Sequence, residues 1–171
     1  MTMPRSLRPS KPSGQALTEF ALILPVFLLL LFAIIQFGFL FGGQNALVNG
    51  VRDTARYAST HRIVDAASAT AACASVQTQL INNLKAGLPG FVSSRLHPTI
   101  AYVWFTNPDG TYSIRIEVSA KYDHPLLVPL VGLIVDRIDG VNDNAFTLGA
   151  SEQMRIENPA LTSMGGPVTC P

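Results

Sequence analysis

The hydrophobic and polar positions divide the chain into three regimes. From Phe20 to Gly43 the sequence reads FALILPVFLLLLFAIIQFGFLFGG, 24 residues without a charge, in which Gln36 is the one strongly polar side chain. About 20 apolar residues suffice for a helix to cross the hydrocarbon core, so the run predicts a membrane-spanning helix. A secretory signal has a shorter apolar core, about 7 to 15 residues, and no small-x-small cleavage site follows this run, which favours a retained anchor. Residues 44 to 60 hold no proline, and Val51, Ala55 and Ala58 share one face while Arg52 and Arg56 share another, so the helix is expected to continue past the bilayer. Gly50 weakens that expectation by about 1 kcal/mol relative to alanine. A second helix is predicted over about residues 65 to 86, with Val76, Leu80, Ile81 and Leu84 as its apolar stripe and Gly87, Pro89 and Gly90 as its stop.

The pattern then changes to that of strands. Residues 99 to 106 are rich in β-formers, "NPDG" at 107 to 110 signals a turn, and residues 112 to 122 alternate strictly. Ile114, Ile116, Val118, Ala120 and Tyr122 fall on one face, with Ser113, Arg115, Glu117, Ser119 and Lys121 opposite, so the pair is a predicted hairpin. A third strand is expected at about 145 to 156, with Phe146, Leu148, Ala150, Met154 and Ile156 apolar. A sheet with one apolar face needs a cover, and the two helices supply it, giving an α+β head on a helical stalk. Between the second and third strands, "PLLVPLVGLIVDRI" at 125 to 138 is apolar but broken by Pro129 and Gly132; packing beneath the sheet is favoured over an exposed patch.

Charge adds direction. Only 13% of the residues are charged and the net charge is +1, so no nucleic-acid footprint is present. Arg5, Arg8 and Lys11 stand before Gly14 with no acid among them, and the remainder holds nine basic and eleven acidic side chains. Basic residues favour the cytoplasmic side, so the N-terminus is expected inside and the head outside the inner membrane, in the periplasm of a bacterium. There Cys73 and Cys170 either form one bridge or remain independent thiols. Within the apolar run, Pro25 interrupts the helix hydrogen bonding, and Gly38 and Gly42 form a GxxxG pair open to a neighbouring helix, unless they only reflect the frequency of glycine in membrane helices.

Other chemistry is sparse. His61, His97 and His124 are scattered, no nucleophile elbow or phosphate loop occurs, and Asp136, Asp139 and Asp143 lack the spacing of a calcium loop. No catalysis, no metal and no cofactor are expected. Arg52 and Arg56 read as a solvated stripe rather than a ligand site.

Glu19, directly before the apolar run, is the anomaly, because a carboxylate at a lipid boundary carries a large transfer cost. Were the chain cut after Gly14, the new α-amine at Gln15 would stand four residues from Glu19, about 6 Å of helix rise on one face, where the two charges neutralise each other within one chain or between neighbours. A short basic leader ending in glycine, a glutamate at mature position five, an aromatic at Phe20 and an apolar helix together resemble the prepilin pattern of the tight-adherence type. Gly14, Ala16, Glu19, Phe20, Ala21, Leu22, Leu24 and Pro25 are similar to the start of TadE-like proteins, and "VRDTARYAS" at 51 to 59 is similar to the helix that follows their anchor. The resemblance covers about the first 60 residues. It implies a pilin-like α+β fold with a basic leader (1–14), a transmembrane helix (15–45) and a periplasmic domain (46–171). It further implies a minor pseudopilin of a tight-adherence (Flp) pilus or related secretion apparatus, with Gly14 recognised by a prepilin peptidase, Gln15 as the new N-terminus and Glu19 acting in recognition or assembly. The implied partners are other pilins through the N-terminal helix, the peptidase and an inner-membrane assembly platform. The alternative is a permanently anchored periplasmic binding or sensor module.

Overall fold

The computed structural model describes residues 14–128, 137, 144–157, 161 and 163–171. The basic leader, most of the apolar segment at 125–138 and the loop of Asp136, Asp139 and Asp143 lie outside the described residues. Helix α1 (Gln15–Ser59) is one unbroken element of 45 residues, followed by α2 (Ala66–Gly87), a 3-10 turn (Ser93–Arg95), β1 (Leu96–Thr106), β2 (Tyr112–Pro125), β3 (Ala145–Arg155) and a short β4 (Val168–Thr169). The architecture is α+β, as the alternation predicts.

Within α1 the surroundings change at Gln36. Before it no residue of the helix is buried; from it onward Gln36, Leu40, Gly43, Leu47, Gly50, Thr54 and Ala58 form a buried stripe at three- and four-residue spacing. The helix therefore runs straight across residue 45, and the head begins to pack on it well inside the apolar run.

Helix α2 starts at a capping box: the Asp65 carboxylate accepts the Ser68 N–H at 2.8 Å, and the Ser68 hydroxyl accepts the Asp65 N–H at 3.1 Å. Its buried face is Ala69, Ala72, Cys73, Val76, Leu80 and Leu84. Ile81 does not join this stripe; it sits half exposed, because one step past Leu80 turns the side chain about 100° away from the core. The two helices meet closely at Gly50, where an added methyl would stand 2.7 Å from Leu84 Cδ2, and at Thr54, whose hydroxyl accepts from Asn83 Nδ2 at 3.1 Å. Gly50 is thus a contact point between helices and not a weak point of α1.

The sheet is antiparallel in the order β3-β2-β1-β4. Helix α1 lies over β2 and β3, while α2 lies on α1 and beside β1 and β4. The buried row of Ile114, Ile116, Val118, Ala120 and Tyr122 meets Ile100, Tyr102 and Trp104 of β1 and the two helices in one core. Strand β1 begins three residues earlier than its β-formers suggest and includes Pro98. The Ile100 carbonyl points outward to accept the Cys170 N–H, and Pro98, two residues before, points the same way; its missing N–H faces the open edge. In β3, Leu148 is buried but Phe146 is 40% exposed, so the expected apolar alternation fails at the strand's first turn out of the loop. Strand β4 has no counterpart in the sequence pattern. It is held by β1 and by a disulfide between Cys73 of α2 and Cys170, with Cα atoms 5.4 Å apart.

Candidate functional site: the exposed N-terminal half of α1

Gly14 caps α1 with no side-chain hydrogen bond, and Gln15 opens the helix. The Thr18 hydroxyl donates back to the Gln15 carbonyl at 2.8 Å. Gln15 Nε2 donates to Glu19 Oε1 at 3.1 Å. The four-residue spacing that places Gln15 and Glu19 on one face is thus used by the side-chain amide, a pairing the spacing itself could have signalled. Phe20 follows and is exposed. The structure brings Gly14, Gln15, Glu19 and Phe20 together as one exposed helical end.

Beyond it, large apolar side chains from Leu17 to Phe41 point into open space. The first half of α1 is long and apolar enough to cross a membrane and almost none of it is buried, unlike the core helix of a soluble domain. Pro25 is accommodated inside the helix. Gly38 and Gly42 have no atom of the described residues within 4 Å of where a Cβ would stand, so among those residues nothing packs on them. Together with Phe39, Leu88, Pro89 and Leu127 they border an apolar groove of about 430 Å³ between α1 and the turn after α2.

Gln36, the polar residue of the apolar run, has a structural role. It is fully buried, and its Oε1 accepts the backbone N–H groups of Leu127 at 2.9 Å and Val128 at 3.2 Å. Those groups follow the end of β2 and have no ladder partner, so Gln36 fastens the head to α1. Its Nε2 has no partner among the described residues. Two turns further on, Gly43 admits His124: a Cβ at Gly43 would stand 2.8 Å from His124 Cδ2. The His124 ring therefore belongs to packing, with Nδ1 3.0 Å from the Pro125 carbonyl.

No group of three metal-ligating side chains converges among the described residues. Arg52 and Arg56 are both exposed on α1. His97 Nε2 lies 3.0 Å from Asp123 Oδ2 on the surface. The Asp123 carboxyl is held below its usual value chiefly by the Thr147 hydroxyl, with His97 adding to the effect and partial burial opposing it.

These features define a class: an α+β protein whose head is built on the second half of a helix whose first half is consistent with a membrane anchor. The family model described as "TadE-like protein" matches residues 14–56, the stretch from the glycine cap through the exposed apolar half of α1 to the first contacts with α2. The match bears out the resemblance over that quarter of the chain and points to involvement in a tight-adherence (Flp) pilus system. No curated protein and no solved structure shows significant similarity to the chain.

Proposed function

We propose that this chain is a minor pseudopilin, a structural subunit for assembly or initiation of a tight-adherence pilus or related secretion apparatus. In this reading a prepilin peptidase cuts after Gly14 and the chain enters the inner membrane with its N-terminus in the cytoplasm and its head in the periplasm. The exposed half of α1 then serves twice, first as anchor in lipid and later as the surface that packs among other pilin helices. Glu19 partners the new α-amine of Gln15, in the same chain or in a neighbour, which lowers the cost of holding a carboxylate at the apolar boundary.

The observation that carries the reading is positional. Gly14, Gln15, Glu19 and Phe20 cap a helix that is bare on one side through Phe41 and continues unbroken into the core of the head. The matched family segment coincides with that arrangement. The test is the N-terminal mass of the membrane-extracted protein with and without a prepilin peptidase. A start at Gln15 only when the peptidase is present is expected. A leader retained in both samples removes the pilin reading and leaves a fixed anchor.

A further inference from the structure

The anchor and the head overlap along α1. Over most of the helix circumference the side chains remain bare, with Phe37 and Phe41 on one flank, Phe41 at 69% exposure, and Phe39 on the opposite flank, continuing the apolar surface that begins at Leu17. On the remaining side, over the same turns, Gln36 and Leu40 are already buried. Counting from Phe20, the first residue past Glu19, about 20 residues at 1.5 Å each fill a hydrocarbon core of about 30 Å and end near Phe39. Gln36 then stands about 6 Å short of the far boundary. The backbone of Leu127 and Val128, hydrogen-bonded to Gln36, must lie at that same depth.

The side chains at this end of the head agree with such a depth. Leu127 is 59% exposed, and Phe146, opposite His124 in the β2–β3 ladder, and Val92, beyond the turn after α2, are also uncovered. The groove floored by Gly38 and Gly42 opens at the same level. The Leu127 and Val128 N–H groups there are met by Gln36, which lowers the cost of placing these two backbone donors in lipid. The opposite end of the head, where Trp104 pairs with Ile114, lies beside the C-terminal end of α1, where the Glu157 N–H reaches the Ser59 carbonyl.

We propose that the base of the head is seated in the lipid of the leaflet it faces, with Leu127, Phe146 and Val92 inserted at the boundary of headgroups and acyl chains. The occupant of this surface is bilayer lipid because the surface is continuous with the lipid-facing side of α1, and shallow insertion of about 5–10 Å is the depth at which apolar side chains bind an interface. The proposal rests on the reading of α1 as a membrane anchor.

The test uses the full chain in bilayer discs of zwitterionic phospholipid whose acyl chains carry bromine, a short-range quencher of tryptophan. Trp104, the chain's single tryptophan, is the unquenched reference. Leu127→Trp reports on the base, Phe146→Trp is the second reporter should the first not fold, and Leu30→Trp marks the middle of the anchor. The expected result is loss of the added Leu127→Trp emission with bromine near the headgroup end of the chains, and loss of the Leu30→Trp emission with bromine near their ends. Quenching of Leu30→Trp with none at either base reporter overturns the proposal while leaving the anchor in place. Quenching of neither site overturns both. A base emission that is unquenched by lipid and shifts with protein density in the disc assigns the surface to a second copy and also overturns the proposal.

Discussion

Replacing Gly50 by alanine sets two effects of known size against each other. An alanine in the middle of a helix is favoured over glycine by about 1 kcal/mol, because the unfolded chain loses less freedom. At Gly50 the new methyl would stand 2.7 Å from Leu84 Cδ2 and 3.3 Å from Leu84 Cγ, and Leu84 is fully buried. Forcing an extra methyl into a closed contact costs about 1–3 kcal/mol. Packing wins, and Gly50→Ala should be destabilised by a net of about 1 kcal/mol, or roughly 2–4 °C in Tm for a chain of this size. Gly42→Ala is the internal comparison: it has the same propensity gain and nothing within 4 Å, so its head should melt no earlier than the parent's. The measurement is thermal unfolding of both variants in detergent, followed by Trp104 emission. If Gly50→Ala melts with or above the parent, α1 and α2 do not meet at Gly50 and Leu84, and the core is arranged differently there.

Glu19→Ala should insert into the membrane normally yet lose pilus assembly, and Glu19→Gln separates charge from size; normal pili in the alanine strain would remove the amine-pairing idea. Reduction of Cys73–Cys170 should free the C-terminal tail to added protease before the rest of the chain. The bond closes a loop of nearly a hundred residues and is worth about 4–5 kcal/mol on the chain-entropy account, so equal digestion of oxidised and reduced protein would contradict it. Asp123 titrates below its usual 3.8 when folded, so its contribution is present above that pH and is lost as pH falls through the lower folded value. Thr147→Val removes the largest cause of that depression and should move acid unfolding to higher pH; an unchanged acid midpoint would dismiss the contact. Tyr102 is buried with a hydroxyl that has no partner among the described residues, and burial, with Tyr57 nearby, raises its pKa to about 12. Tyr102→Phe should therefore match or exceed the parent's stability by about 1 kcal/mol, and a clear loss of Tm would reveal a partner for the hydroxyl.

The elements set by local pattern were legible. The uncharged run announces the first half of α1, the apolar stripe announces α2, and strict alternation announces the buried face of β2. What escaped depends on contacts far apart in sequence. Gln36 stands out as the lone polar residue of its run, but its meaning lies in Leu127 and Val128, some ninety residues away. Gly50 lowers helix propensity, and only the approach of Leu84 shows why a glycine fits there. Ile81 counts as apolar in any periodicity, yet it misses the core by one step of rotation. Strand β4 has two residues and no alternation to display; the register of β1 and the bridge to Cys73 hold it. At the N-terminus the spacing of Gly14, Gln15 and Glu19 was legible in full, and that same four-residue spacing carries the bond from the Gln15 amide.

The continuity of α1 has a mechanical consequence. A single helix of 45 residues, about 67 Å long, joins the exposed end at Gln15 to the core of the head with no loop between them. One backbone link is missing along it, at Pro25, whose ring nitrogen has no hydrogen to offer the preceding turn. Bending is concentrated there, deep in the bare half and 11 residues before the head takes hold at Gln36. A pull on the head is thus transmitted undiminished to the turns around Gln36, and any change of angle between anchor and head-bearing rod is taken up at Pro25.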